Sequence, residues 1–400
     1  MKRIGILTSG GDCQGLNASI RGVAKSLYEE FGNDVEIYGI KDGYKGLIFG
    51  EYKLMKPEDF SGILTLGGTI LGTSRQPFKL MRVIDENSVD KVQNMKDNYK
   101  KMKLDCLVIL GGNGTQKTAN LLREEGLNVV SLPKTIDNDL VLTDHTPGFG
   151  SAAKYVASTV REIVLDASVY QQRSVTIVEI MGRHAGWLTA ASRLARKYEG
   201  DNPCLIYLPE TPFSLEQFYN DLDAAFKKSP NLVVCVSEGI ADEGGTFVCE
   251  YSDAAKLDSF GHKMLTGSGK YLENLVKERL GIKVRSVELN VSQRCSSACL
   301  SAADLDEAVC AGTYGVQAAL LGETGKMVSF QRTNDNPYKL TYTTADVNNI
   351  CNKEKGVPLS WITNDGSDIS EDFIRYALPL IQGNVEVPFE NGLPAFAFRR

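Results

Sequence analysis

Four side chains that could carry out acid–base and metal chemistry lie within six residues of one another: Lys134, Thr135, Asp137 and Asp139. They follow an apolar run that ends at Pro133, which cannot donate to a sheet ladder and therefore marks the end of a strand. One carboxylate of such a pair can take a proton from an attacking hydroxyl while the other holds a hydrated Mg²⁺, as phosphoryl transfer requires. The alternative is a solvated turn, because Asp-Asn-Asp is common turn chemistry.

Glycine-rich loops follow other predicted strands and could bring backbone N–H groups close to a phosphate. Residues 10–15 follow a strand predicted over residues 3–9, and residues 111–115 follow one predicted over residues 104–110. A further loop, residues 66–75, is rich in glycine and hydroxyl side chains and ends at Arg75. This composition favours binding an anion over packing in the hydrophobic core. Ligands bind at the carboxyl ends of the strands in open α/β sheets, so we expect these loops to surround the two aspartates.

The second half of the chain repeats the alternation of strands and helices. A strand predicted over residues 174–180 leads into Met181-Gly182-Arg183, and another over residues 232–236 precedes Glu238. Regular β-α alternation in both halves predicts an α/β fold of two doubly wound, Rossmann-like lobes, with the active site in the cleft between them.

Composition sets limits on the function. The 400 residues are 42% hydrophobic and 24% charged, with a formal net charge of −6, so non-specific binding to nucleic acid or to an anionic membrane is not expected. No apolar run reaches the roughly 18 residues of a membrane span, and the first predicted strand begins at residue 3. The nine cysteines are an odd number without paired spacing, which indicates reduced thiols. We expect a cytoplasmic protein.

Taken together and in order, these loops resemble those of the phosphofructokinases. The matching residues are 10–12 with 15–17, 111–115, 133–139, Met181-Gly182-Arg183 and Gln293-Arg294, and the resemblance runs from Ile4 to about Ala308. It implies transfer of a terminal phosphate to the 1-hydroxyl of fructose 6-phosphate, with Mg²⁺ as cofactor and a homodimer or homotetramer as the assembly. It also implies a donor-binding lobe of residues 1–148 plus about 293–330, and a sugar-phosphate lobe of residues 149–292 plus about 331–400.

The resemblance also implies roles for individual residues. Asp137 would be the general base and Asp139 would hold Mg²⁺, while the Gly11 N–H, Arg75 and Thr135 would stabilise the transferring group. The catalytic set is Asp137, Arg75, Thr135 and Lys134. The donor-binding set is Gly11, Tyr44, Arg75, Gly112, Asn113, Gly114 and Thr115, with Asn113 as a second metal candidate. The sugar-phosphate set is Thr135, Asp137, Met181, Gly182, Arg183, Glu238, Arg285, Arg294 and Arg173.

Some residues depart from the family pattern. Asn113 stands where the family has an aspartate, so it can serve Mg²⁺ only as a neutral ligand. Arg173 is one residue out of register with the arginine that crosses from a neighbouring subunit, and Val291 replaces a histidine. The cations that bind effectors are matched only by Arg21 and Lys25, which puts regulation by nucleotides in doubt.

The resemblance implies either ATP or pyrophosphate as the phosphoryl donor, and relatives with different donors differ at two positions. Gly114 leaves room for the α-phosphate and nucleoside of ATP, where an aspartate would fill and repel that space. Lys134 is typical of pyrophosphate users, but it also occurs in ATP users that keep the glycine. Residues 287–290 and 293–295 resemble those of pyrophosphate-using relatives. We take the open space at Gly114 as decisive and predict ATP, with pyrophosphate as the alternative.

Two other classes of function compete with this interpretation. An NAD-dependent oxidoreductase would also use glycine-turn α/β lobes, and it needs an acidic ribose ligand about 20 residues after the glycine loop. Glu29 and Glu30 are near that spacing, but they fall inside a predicted helix. A nucleotide sensor without catalysis would more naturally have lost one of the two aspartates, and both are present.

Overall fold

The computed structural model describes residues 1–74, 76–84, 89–251 and 267–395. Its strands, in chain order, are β1 (Lys2–Thr8), β2 (Val35–Ile40), β3 (Tyr52–Met55), β4 (Cys106–Gly111), β5 (Val129–Pro133), β6 (Ser174–Ile180), β7 (Leu205–Tyr207), β8 (Asn231–Ser237), β9 (Lys283–Glu288), β10 (Lys326–Asp335), β11 (Tyr338–Asp346), β12 (Ile362–Thr363), β13 (Asp368–Ile369), β14 (Phe389–Glu390) and β15 (Leu393–Pro394).

The α-helices lie between these strands and cover the sheets. They are α1 (Leu16–Phe31), α2 (Tyr44–Phe49), α3 (Lys91–Lys101), α4 (Asn113–Glu124), α5 (Phe149–Ser168), α6 (Trp187–Ala191), α7 (Leu215–Phe226), α8 (Ser268–Leu280), α9 (Ser292–Cys295), α10 (Ala302–Leu320) and α11 (Glu371–Ala377). Within the described residues no helix is both long enough and apolar enough to cross a bilayer.

The first lobe is built on a seven-stranded sheet with the order β11-β10-β5-β4-β1-β2-β3. Its five inner strands are parallel, and β3 and β11 close the two edges as antiparallel strands. Every residue of β4 is buried, because helices cover both faces of the sheet. The side chains of α1 and α10 fill one face, and those of α2, α3 and α4 fill the other.

The second lobe is built on a four-stranded parallel sheet with the order β7-β8-β6-β9. Strands β6 and β8 are buried along their whole length. Helix α5 covers one face of this sheet, while α7 and α8 cover the other. The prediction of an α/β fold with two Rossmann-like lobes is confirmed.

The chain returns from the second lobe to the first through α10, which packs closely against α1. A Cβ atom on Gly22 would overlap the carbonyl group of Val309, and one on Gly312 would overlap the carbonyl oxygen of Ser19. Only glycine permits this approach of the two helix backbones. The contact joins the N-terminal helix of the first lobe to a helix near the end of the chain.

The hairpin of β10 and β11 changes the expected division of the lobes. Strand β10 pairs in parallel with β5, and β11 pairs with β10, so residues 331–346 belong to the first sheet. The boundary implied by the resemblance placed them with the second lobe. The sequence does not correct that boundary, because β11 is an edge strand with only partial burial and carries a weak apolar pattern. The roles expected for the two lobes stay predictions.

Candidate active site

The two aspartates lie in a tight loop at the carboxyl end of β5, which we call the carboxylate loop (residues 134–139). The Thr135 hydroxyl fixes Asp137 from two sides: its Oγ1 accepts from Asp137 N (3.1 Å) and donates to Asp137 Oδ2 (3.2 Å). Between the aspartates, Asn138 is fully buried and has a φ of +54°, a left-handed conformation that asparagine tolerates better than most residues. The loop therefore holds two carboxylates in a compact, partly buried turn.

The electrostatics of the carboxylate loop favour proton uptake. Burial raises the pKa of Asp137, against the opposing effects of the Thr135 hydrogen bond and the positive charges of Lys134 and Arg294. Burial, followed by the charge of Asp137, raises the pKa of Asp139 to about 7. The Asp139 Oδ1 atom is buried and has no hydrogen-bond partner within the described part of the chain. A carboxylate oxygen with free lone pairs beside a second carboxylate fits a hydrated Mg²⁺, which binds through one or two carboxylates plus substrate phosphates.

The first glycine loop lies against the carboxylate loop. A Cβ atom on Gly10 would be 3.8 Å from Lys134 Nζ, and one on Gly11 would be 3.5 Å from Arg294 Nη1. Gly10 has a φ of +88°, which glycine adopts without strain. The Thr73 hydroxyl donates to Gly10 O (2.7 Å), so the predicted anion loop also reaches this point. Arg75 itself lies outside the described residues.

The loop that begins α4 presents an open surface. Gly112 precedes the helix, and the Thr115 hydroxyl inside it donates to Ser9 O (3.3 Å). A Cβ atom on Gly114 would have no atom within 4 Å among the described residues. No described side chain therefore obstructs the Gly114 side of the helix N-terminus, while the Thr115 and Gln116 N–H groups donate to Gly112 O (3.0 and 3.1 Å).

Two residues predicted to bind the donor have other contacts. Tyr44 is only 1% exposed and donates its hydroxyl to Thr115 O (2.9 Å), so it supports the α4 loop from behind. Asn113 Nδ2 donates to Lys353 O (2.9 Å), and its Oδ1 accepts from Asn352 N (3.1 Å). Both polar atoms of the Asn113 side chain are therefore hydrogen-bonded to residues 352 and 353. This geometry does not favour the predicted role of Asn113 as a metal ligand.

The second lobe contributes its own loops at the carboxyl ends of β6 and β8. Gly182, with a φ of +141°, donates its N–H to Glu238 Oε1 (3.5 Å), and its carbonyl accepts from the Ser237 hydroxyl. Gln293 Oε1 accepts from Met181 N (3.2 Å), which places Arg294 near this loop as well. Arg294 therefore lies where the two lobes meet.

Two arginines predicted for the sugar-phosphate site lie elsewhere. Arg285 is the third residue of β9; its side chain is 44% exposed and faces Asp166 Oδ2 (3.4 Å). Arg173 precedes β6 and stacks over the Phe226 ring at 5.1 Å. Both lie toward the amino ends of their strands, whereas the loops above follow the carboxyl ends. One chain therefore does not bring Arg173 and Arg285 together with Arg183 and Glu238.

Comparison with known proteins identifies the family of the chain. A family model described as phosphofructokinase matches residues 3–319. The chain belongs to the phosphofructokinase family.

Relatives in the family differ in their phosphoryl donor. The chain is 34% identical over 398 residues to a pyrophosphate–fructose 6-phosphate 1-phosphotransferase of Halomonas elongata, covering 97% of this chain and 94% of that protein. It is 40% identical over 334 residues to an ATP-dependent 6-phosphofructokinase of Spirochaeta thermophila, covering 82% of this chain and 87% of that protein. The crystal structure of a pyrophosphate-dependent phosphofructokinase from Marinobacter aquaeolei aligns with a TM-score of 0.86 and 29% identity, covering 100% of this chain and 96% of that one.

The structure also adds residues that the sequence analysis did not place in this candidate site. Asp12 accepts from Thr69 N (3.2 Å), and burial raises its pKa against the charge of Lys134. Gln14 Nε2 donates to Gln293 O (2.8 Å), a direct bond between the first glycine loop and the segment before Arg294. Asp12 belongs to the Gly-Gly-Asp motif that follows a predicted strand, so the sequence could have indicated Asp12 as a site residue. No local sequence pattern could have indicated Gln14 as a site residue, because its hydrogen-bond partner, Gln293, is far away in the sequence.

The buried carboxyl of Glu238 should make stability depend on pH. Burial raises its pKa from 4.5 to about 7, so the folded state binds this proton more tightly than the unfolded state. The resulting stability is fully present below pH 4.5 and is lost as the pH rises through about 7. We expect the free energy of unfolding of the wild type, relative to Glu238→Gln, to fall by on the order of 1–3 kcal/mol between pH 5 and pH 8.

Urea unfolding of the ligand-free proteins at pH 5 and pH 8 measures this difference. Glu243→Gln is the control, since Glu243 is an exposed glutamate beyond the same strand. A difference between wild type and Glu238→Gln that stays constant with pH would contradict the raised pKa.

Proposed function

We propose that the chain transfers the terminal phosphate of ATP to the 1-hydroxyl of D-fructose 6-phosphate, giving fructose 1,6-bisphosphate and ADP. The observation that carries this proposal is the position of the carboxylate loop: a Cβ atom on Gly10 of the first lobe would be 3.8 Å from Lys134 Nζ, and the charge of Arg294 acts on Asp137. A donor phosphate held by the first lobe and a sugar hydroxyl held by the second would meet at Asp137.

Asp137 acts in this proposal as the general base. Its carboxylate is oriented by the Thr135 hydroxyl, and burial brings its pKa closer to the working pH, which makes proton transfer from the sugar hydroxyl more effective. The geometry needs no covalent intermediate, because phosphoryl transfer depends on positioning and on charge stabilisation.

Positive charge and N–H groups surround the path of the phosphoryl group. The Gly11 N–H, Lys134 and Arg294 would stabilise the negative charge of the transition state, together with Arg75 and Thr135. Asp139, whose Oδ1 has no hydrogen-bond partner among the described residues, would hold Mg²⁺. When bound, Mg²⁺ neutralises charge on the donor phosphates.

The second lobe would hold the sugar phosphate. Met181, Gly182 and Arg183 follow β6, and Glu238 follows β8, so they line one loop cluster with Arg294. Arginine is suited to this role because its planar guanidinium binds a phosphate through paired hydrogen bonds. Arg173 and Arg285 lie away from this cluster, so they would reach a sugar phosphate only in the site of a second copy, in a homodimer or homotetramer.

The choice of ATP rests on Gly114. A Cβ atom on Gly114 would have no described atom within 4 Å, which leaves room for the α-phosphate and ribose of a nucleotide at the N-terminus of α4. Pyrophosphate is the second candidate, and two observations favour it. Relatives named as pyrophosphate-dependent align with 97% of this chain, and Lys134, which is 3% exposed, lies in the carboxylate loop itself.

Substituting Gly114 separates the two donors. Aspartate adds a negative charge near the triphosphate, and at about 4 Å this repulsion costs on the order of 1–4 kcal/mol, or roughly several-fold to several-hundred-fold in affinity. We expect the wild type to use ATP and Gly114→Asp to lose ATP activity far more than any pyrophosphate activity. The measurement is kcat/KM for fructose 6-phosphate phosphorylation with each donor.

Gly114→Ala is the matched control, because it adds a Cβ atom into open space without a charge. It should keep kcat/KM with ATP within a few-fold of the wild type. A wild type that prefers pyrophosphate would show that Lys134 and its surroundings outweigh the open glycine, and would replace ATP by pyrophosphate as the donor.

A further inference from the structure

Residues near the C-terminus contact the carboxylate loop directly. We call this set the C-terminal clamp: residues 352–355, which follow β11, and Tyr376 in α11. All of them lie beyond residues 3–319, the part of the chain that the phosphofructokinase family model matches. They carry no group that the proposed reaction uses, so their contacts with the loop call for another role.

Tyr376 holds the residue between the two aspartates. Asn138 Nδ2 donates to Tyr376 Oη (2.8 Å), and the tyrosine hydroxyl in turn donates to Asp144 O (2.7 Å). The other polar atom of the Asn138 side chain, Oδ1, is buried without a partner within the described part of the chain. The tyrosine hydroxyl is therefore the hydrogen-bond partner that fixes this fully buried amide in its left-handed backbone conformation.

Lys355 holds the end of the loop. Its backbone N–H donates to Asp139 O (2.7 Å). Its ammonium group donates to Thr143 O (3.0 Å) and to Asp144 O (2.7 Å), so it fixes the chain that leaves the loop. Together, Lys355 and Tyr376 contact the backbone or side chain of both residues that follow Asp137.

The clamp also connects the loop to both lobes. Residues 352 and 353 bind the Asn113 amide at the start of α4. On the other side, Trp187 Nε1 donates to Lys355 O (2.7 Å), and the Tyr376 ring packs against the Trp187 ring at 5.2 Å. The α4 loop, the carboxylate loop and the first turn of α6 are thus joined through one segment.

We propose that Tyr376 and Lys355 are positioning residues that set the orientation of Asp137 and Asp139 relative to the second lobe. The inference rests on the proposed phosphotransferase activity. A purely structural role would affect stability and leave turnover unchanged. A positioning role lowers kcat, because a displacement of about 1 Å at the reacting groups can cost on the order of 10²-fold in rate.

The test compares two tyrosine variants that each lose one half-buried hydroxyl. Tyr376→Phe keeps the ring and its packing but removes the partner of Asn138. Tyr338→Phe is the matched control: the Tyr338 hydroxyl donates to Glu307 Oε1 (2.7 Å), outside the carboxylate loop. We expect Tyr376→Phe to lower kcat by roughly 10–100-fold with KM for both substrates within about 3-fold, and Tyr338→Phe to keep kcat within about 2-fold.

A second readout does not depend on activity. Amide hydrogen exchange in residues 137–142 should be faster in Tyr376→Phe than in the wild type or in Tyr338→Phe. Lys355→Met removes the hydrogen bonds of the ammonium group and keeps the backbone N–H. It should also lower kcat and make exchange in residues 137–142 faster, and it replaces Tyr376→Phe in the test if that variant does not fold.

Three outcomes would overturn the clamp: unchanged kcat in Tyr376→Phe, an equal loss in Tyr338→Phe, or unchanged exchange in the loop. A wild type without fructose 6-phosphate phosphorylation with either donor would instead contradict the proposed function. The exchange experiment would still test whether the clamp orders the loop.

Discussion

Replacing Asp137 with asparagine is expected to lower kcat by roughly 10²–10⁴-fold, while KM for fructose 6-phosphate stays within a few-fold of the wild type. Asparagine keeps the shape of the side chain and can still bond to Thr135, but it cannot accept a proton from the sugar hydroxyl. The loss should therefore appear in the chemical step rather than in sugar binding. Steady-state kinetics with both substrates varied measures it.

The pH dependence of kcat gives an independent check on the same residue. Burial raises the pKa of Asp137, so the wild type should gain activity as the pH rises through a value above the usual carboxyl range, and Asp137→Asn should lack this rise. Asp97→Asn, at an exposed position on α3, is the control and should behave as the wild type. Equal kcat in the wild type and Asp137→Asn would remove Asp137 as the base.

Replacing Arg294 with alanine should raise KM for fructose 6-phosphate by about 10–100-fold, well above any change in donor KM. Hydrogen bonds to a charged group contribute about 1.5–3 kcal/mol, which corresponds to this range. A Cβ atom on Gly11 would be 3.5 Å from Arg294 Nη1, so this guanidinium is also close to the backbone proposed to stabilise the transferring phosphoryl group. A fall in kcat should therefore accompany the rise in KM.

Arg279→Ala is the control for this substitution, because Arg279 lies on α8 and stacks over the Tyr219 ring at 3.9 Å. It should leave both KM values near those of the wild type. An effect of Arg294→Ala that is confined to the donor KM would show that the two substrates bind to the opposite lobes from those proposed.

The parts of the site that follow buried parallel strands could be predicted from the sequence. The strand expected over residues 174–180 is β6, and the loops at Lys134 and Met181 lie at the carboxyl ends of β5 and β6. Continuous apolar runs give a strong signal for such strands, and the geometry of parallel sheets then brings their ends together. The local apolar pattern and the topology of parallel sheets were therefore sufficient to predict the positions of these two loops.

Other features depend on contacts that leave no local pattern. The bonds of Asn113 to residues 352 and 353, and of Asn138 to Tyr376, join positions more than two hundred residues apart. Neither hydrophobic periodicity nor a short sequence motif predicts hydrogen bonds between residues so far apart in the sequence.

The close packing of α1 against α10 has a consequence for synthesis of the chain. At 5–20 residues per second, a ribosome needs on the order of 15–60 s between adding Gly22 and adding Gly312. During that time the α10-facing side of α1 is uncovered, and the edge of β5 that will pair with β10 has no partner strand. The first lobe therefore cannot be cut out as one continuous piece of chain, because β10 and β11 belong to the same sheet as β1–β5. The nascent protein is therefore expected to depend on chaperones until α10 and β10 have emerged.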